Sequence, residues 1–188
     1  MPETEKEIQL TDGPDAAPAL GGPAPFFHSH SEGSGVTLEG FKGSWTIVFS
    51  HPEDLLPVFK TRTVHYLLCK RKTRVIAICD SEAICQQGGN FITKYVSKHS
   101  LTLLDDSDRE ISMGYGLGES DEKGVFVVDP GGILRIKLYV PMAAQRDFHD
   151  ILTLVDALQN ADRAKKKHPG KSSWKSRLGL VERSGSPA

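Results

Sequence analysis

No stretch of the 188-residue chain approaches the roughly 20 consecutive apolar residues that a membrane-spanning helix needs. Neither sign of charge is in excess. The 23 basic and 24 acidic residues leave a formal net charge of −1. That balance argues against a general nucleic-acid binder, although it does not say how the charges are distributed. Cysteine is scarce: Cys69, Cys79 and Cys85 form no paired spacing, which points to reduced thiols in an intracellular protein rather than a disulfide framework. The first residues (Pro2, Glu3, Glu5, Glu7) lack the basic-then-apolar order of a secretory leader. There is no internal repeat and no long linker. The expectation is one soluble, cytoplasmic domain with no membrane contact.

Two superficial motifs carry little. Gly114-Tyr115-Gly116-Leu117-Gly118 is glycine-rich, but it lacks the lysine and the strand-to-helix setting of a phosphate loop, so it reads as a turn. His28 and His30 share a face if the segment is extended, and Glu32 or His51 lies near in sequence. No third ligand has a fixed spacing, so neither a metal nor a cofactor is expected.

Residues 1–22 are rich in Pro, Gly, Ala and acids and read as a disordered segment. Short extended pieces are expected at Pro25–His28 and Val36–Leu38. Trp45–Ser50 is an apolar, β-branched run, the pattern of a strand buried on both faces. A helix follows over Leu55–Arg71. Arg74–Cys79 is a second buried strand, and a helix through Ile84, Phe91 and Tyr95 comes next. Leu101–Leu104 is extended, and Ser107 or Asp108 caps a brief helix ending near Gly114. Gly124–Asp129, the Pro130-Gly131-Gly132 turn and Ile133–Val140 spell a β-hairpin. Asp147 starts a last helix with Phe148, Ile151, Leu152, Leu154, Val155 and Leu158 on its apolar side. Strand, helix, strand, helix, hairpin, helix is the order of a thioredoxin-like α/β fold: a central mixed sheet flanked by helices over residues 23–162. Residues 163–188 are basic and polar, the composition of an arm.

At this point the sequence resembles the peroxiredoxins of the alkyl hydroperoxide reductase and thiol-specific antioxidant family. The resemblance runs through Phe41–Pro52, through Leu104–Glu110 with Tyr115-Gly116-Leu117, through Val125–Pro130 with Gly132–Arg135, and through Gln145–Leu152 with Asp156–Gln159. These pieces are colinear over about residues 20 to 162. The Ser50-His51-Pro52 ending of the strand is closest to the one-cysteine subgroup.

The resemblance implies a proline, a threonine and a peroxide-attacking cysteine at fixed spacing after the strand, with an arginine from the later hairpin. Here Pro52 matches the proline, Leu56 stands at the threonine position, Phe59 at the cysteine position and Arg62 where a glutamate is usual. Arg135 is taken as the hairpin arginine and Arg146 as a supporting one. Phenylalanine supplies no nucleophile and leucine no hydrogen bond. Cys69, ten positions on, lies about 15 Å away along a helix and points to another side. The family's thiol peroxidase activity is therefore not expected. The expected role is non-peroxidase binding of a small organic, perhaps anionic, ligand or of a partner in a pocket bounded by Pro52, Leu56, Phe59, Arg62 and Arg146. Two alternatives remain: a repurposed enzyme using His51 and Arg135 in acid–base chemistry, and residual thiol redox activity through Cys79 or Cys85. The resemblance also implies a homodimer. Nucleic acid is set aside as a partner on the overall charge.

Overall fold

A computed structural model describes residues 18–25, 27–29, 36–51, 53, 55–59, 62–80, 101–117, 122–141 and 147–167. The helix expected through Ile84–Tyr95, Cys85, Pro52 and Arg146 fall outside the described residues, as do His30 and Glu32. The chain divides into two compact units after Phe148.

In the first unit, β1 (His28–Ser29) and β2 (Val36–Thr37) pair antiparallel as a small ribbon. A 3-10 turn (Leu38–Phe41) leads into β3 (Trp45–Phe49). Then come α1 (Leu56–Phe59), α2 (Arg62–Lys70), β4 (Thr73–Cys79), β5 (Leu101–Asp105), α3 (Glu110–Gly114), β6 (Glu122–Val128) and β7 (Leu134–Pro141). Five strands form one sheet in the order β5-β4-β3-β6-β7. β3, β4 and β5 run parallel, while β6 lies antiparallel to β3 and β7 antiparallel to β6. This is the expected mixed sheet with an antiparallel pair on one side. Every residue of the central strand β3 is buried, as its unbroken apolar run required.

Successive side chains of a strand point to opposite faces, so the sheet separates two sets of residues. Val48, Ile76, Ile78, Leu104, Phe126 and Leu134 pack on one side with Phe27, Phe41, Ile111 and Tyr115. Phe49, the neighbour of Val48, points to the other side and meets Phe148, with ring centroids 5.9 Å apart. Tyr115 and Phe126 stack at 4.6 Å in the first layer, and burial pushes the Tyr115 phenol far above its ordinary value.

Four local expectations are corrected. The helix expected as one piece over Leu55–Arg71 is two: α1 stops at Phe59 and α2 starts at Arg62. The start of α3 is not capped by one residue: Asp108 Oδ1 accepts from the Glu110 N–H at 3.2 Å, and the buried carboxylate of Asp106 accepts from the Ile111 and Ser112 N–H groups at 2.8 Å each and also from the Ser112 hydroxyl. Burial raises the Asp106 pKa, opposed by its hydrogen bonds. Residues before 23 are not all unpaired, because Gly21 N–H donates to Leu134 O at 2.8 Å and Leu134 N–H to Gly22 O at 2.9 Å. The final helix, α4 (Phe148–Lys167), continues five residues past the expected boundary at 162. Its Leu154, expected on the apolar side, is 42% exposed. Among the described residues no helix is long and apolar enough to cross a membrane.

Candidate functional site

The chain leaves β3 at Ser50, and the residues that follow decide what the C-terminal end of the sheet can do. Ser50 N–H donates to Gly124 O at 3.1 Å, and Gly124 N–H donates back to Ser50 Oγ at 2.8 Å. The same oxygen lies 2.9 Å from Nδ1 of the half-buried His51. This two-way link between β3 and β6 requires close approach. A Cβ at Gly124 would lie 2.5 Å from Cε2 of Phe126 and 2.9 Å from Cδ2 of Leu117. Glycine is needed here for want of space, not for an unusual backbone angle.

After a turn at Leu55, α1 delivers Phe59. Its N–H donates to Leu55 O at 3.0 Å, and its side chain is wholly buried. The ring meets Phe148 at 5.6 Å and 60°, and the imidazole of His65 at 5.7 Å and 78°, both edge-on arrangements that suit aromatic quadrupoles. Phe49 touches Phe148 in turn, so Phe49, Phe148, Phe59 and His65 form one aromatic chain. His65 Nε2 lies 3.3 Å from Phe59 O. A carbonyl only accepts, so Nε2 donates in this contact and bridges α2 to the end of α1. Nδ1 is buried with no hydrogen-bond partner among the described residues. The Phe59 ring is thus packed against aromatic groups and buried.

Of the described cations expected from sequence, Arg135 points away from it. Arg135 Nη1 donates to Asp129 Oδ2 at 3.0 Å, and its guanidinium lies 5.6 Å from the centre of the Trp45 ring. Trp45 begins β3 and Asp129 begins the hairpin turn; Gly43 N–H donates to Pro130 O at 2.9 Å across the same end. Phe59 follows the opposite end of β3. Four strand residues, about 13 Å, separate Trp45 from Phe49. Arg62 is exposed on α2, on the arc opposite the buried Val64 and Leu68. His51, Leu56 and Phe59 all follow the same end of β3, while Arg135 lies at the other.

Phe49 pairs with Val125 in an antiparallel register, and Ser50 with Gly124 extends it by hydrogen bonds at the end of β3. Of the thiols, Cys79 ends β4 with no exposure, and Cys69 is exposed on α2. Among the described residues no group of three or more His, Cys, Asp or Glu could hold a metal ion.

The chain was compared with known proteins. The AhpC/TSA family profile matches residues 15–137. A peroxiredoxin of Aquifex aeolicus (strain VF5) is 31% identical over 160 residues, covering 78% of this chain and 72% of that protein. Peroxiredoxin-6 of Gallus gallus is 30% identical over 162 residues, covering 74% of this chain and 72% of the relative. Among solved structures, the reduced 2-Cys peroxiredoxin of Plasmodium vivax superposes with a TM-score of 0.62 at 18% identity, over 77% of this chain and 98% of that one. Mycobacterium tuberculosis AhpC gives 0.61 at 16%, over 77% and 94%. At such identities the superpositions establish the thioredoxin-like fold and nothing finer.

Proposed function

The chain belongs to the AhpC/TSA peroxiredoxin family, and from that premise we propose that it is a member without thiol peroxidase chemistry at position 59, acting as a partner-binding scaffold. The observation that carries this is Phe59 itself. It stands where the family motif after Ser50-His51-Pro52 places the reactive cysteine, and its ring is fully buried against Phe148 and His65. A peroxidase cycle needs a thiolate that reaches the peroxide oxygen and is re-reduced afterwards. A phenyl ring offers neither step. Cys79 is closed to solvent, and Cys69 is on the exposed arc of α2.

The same packing argues against the small-ligand version of the role. A ring without exposed surface offers no face to a metabolite, and Arg135 is engaged with Asp129 at the far end of β3. Acid–base chemistry through His51 and Arg135 together loses its second member for that reason. The reading therefore places binding on the outer surface.

The test is peroxide consumption by the purified full-length protein with dithiothreitol as reductant. Hydrogen peroxide should disappear no faster than in protein-free buffer. Repeated turnover would overturn the proposal. Loss of that turnover in a Cys69→Ser, Cys79→Ser, Cys85→Ser triple variant would assign it to the remaining thiols.

A further inference from the structure

The near-neutral net charge conceals an uneven distribution. Between Leu55 and Cys79 there are six basic residues (Lys60, Arg62, Lys70, Arg71, Lys72 and Arg74) and no Asp or Glu. The rest of a chain whose net charge is −1 therefore carries −7. The helix inside this segment, α2, turns Val64 and Leu68 inward. Arg62, Thr63, Tyr66, Cys69 and Lys70 are all exposed. At about 100° per residue these five fall within an arc of about 120°. On that arc Tyr66 is 66% exposed, with Arg62 one helical turn before it and Lys70 one turn after. No ion pair or aromatic contact involves Arg62, Tyr66 or Lys70 among the described residues, and exposed Lys72 follows at the end of the turn.

We infer that the outer face of α2 is a docking surface for single-stranded nucleic acid. Tyr66 would serve as the stacking platform for a base, and Arg62, Lys70 and Lys72 as phosphate contacts. This rests on the scaffold reading and names the partner class for it. A base and its flanking phosphates use both features of the arc at once, the ring and the cations on either side of it. An acidic peptide would answer the cations and leave the ring idle. An anionic membrane would need an apolar face to insert, and the apolar face of α2 is already buried inside the fold. The arc is the exposed side of a single helix, so binding should be sequence-tolerant and modest, in the range of about 10⁻⁴–10⁻⁶ M that phosphate-dominated contacts give.

Fluorescence anisotropy of a labelled oligo(dT) of about 20 nucleotides, titrated with the full-length chain, tests this. Three phosphate contacts predict a slope of log K against log salt of about −2, and Arg62→Gln or Lys70→Gln should each reduce it by about 0.7. Tyr66→Ala should weaken binding about tenfold, and Tyr66→Phe should keep it, since the face of the ring does the stacking. The side chains are exposed, so unchanged thermal midpoints separate lost contacts from lost folding. No binding, or Tyr66→Ala equal to wild type, overturns the inference. So does binding that survives the α2 variants but disappears when Lys165, Lys166 and Lys167 are changed to Gln. Tighter binding of phosphatidylserine vesicles or poly-L-glutamate through the same residues assigns the face to another partner class and also overturns it. The peroxide assay is read independently, so failure here leaves the interpretation of Phe59 standing.

Discussion

Replacing Phe59 with cysteine separates what position 59 needs chemically from what it needs physically. The substitution puts a thiol where the resemblance places the family's reactive cysteine, yet it removes a ring with no exposed surface and two edge-on partners, at 5.6 Å and 5.7 Å. Truncating a buried phenylalanine to a small residue costs about 3–5 kcal/mol, and the thiol refills only part of the volume, so about 3 kcal/mol is expected. For a chain of this length, each kcal/mol lowers the melting temperature by about 2–4 °C, which gives a fall of about 6–12 °C. Leu56 and Arg62 still replace the threonine and glutamate of the motif, so the new thiol lacks its hydrogen-bonding neighbours. The variant should therefore melt earlier and still fail to turn over hydrogen peroxide with dithiothreitol. Calorimetry and the peroxide assay on the same preparation read both. A variant that melts within a degree or two of wild type would refute the packing argument. One that becomes an efficient peroxidase would show that only the nucleophile was missing and that the surrounding site is intact.

Two further substitutions test the ends of the sheet. Arg135→Gln should cost about 1 kcal/mol, and a double-mutant cycle with Asp129→Asn should give a coupling of at least about 0.5 kcal/mol by urea denaturation. Zero coupling would mean that the contact at the hairpin end is not formed. Gly124→Ala drives a methyl into the side chains of Phe126 and Leu117, so a loss of about 1–3 kcal/mol is expected by urea denaturation. A neutral result would show that Phe126 and Leu117 pack less closely over Gly124 than described.

Local pattern alone determined much of this protein. The apolar, β-branched runs at 45–49 and 75–79 read as strands buried on both faces, because every second side chain of such a run would otherwise face water. The Pro130-Gly131-Gly132 turn between two β-rich runs fixed the hairpin, whose Gly132 takes a φ of 84° that suits glycine. The strand order and the family followed from colinearity. That Phe59 stands at the reactive position is what the spacing after Pro52 implies through the family resemblance.

Convergence was not legible, because it depends on register across the sheet and on helix rotation, neither of which is encoded within a single segment. Arg135 looked like a site residue from its place in the hairpin. The antiparallel register instead carries it to the Trp45 end, where Asp129 and the indole ring take its charge. The exposure of Arg62 also depends on the rotation of α2, which the burial of Val64 and Leu68 fixes. That Phe59 fills its position, instead of lining an opening, likewise needed Phe148 and His65 brought from distant parts of the chain. Side-chain identity says what a group can do, but only the tertiary structure decides which groups lie close enough to do it together.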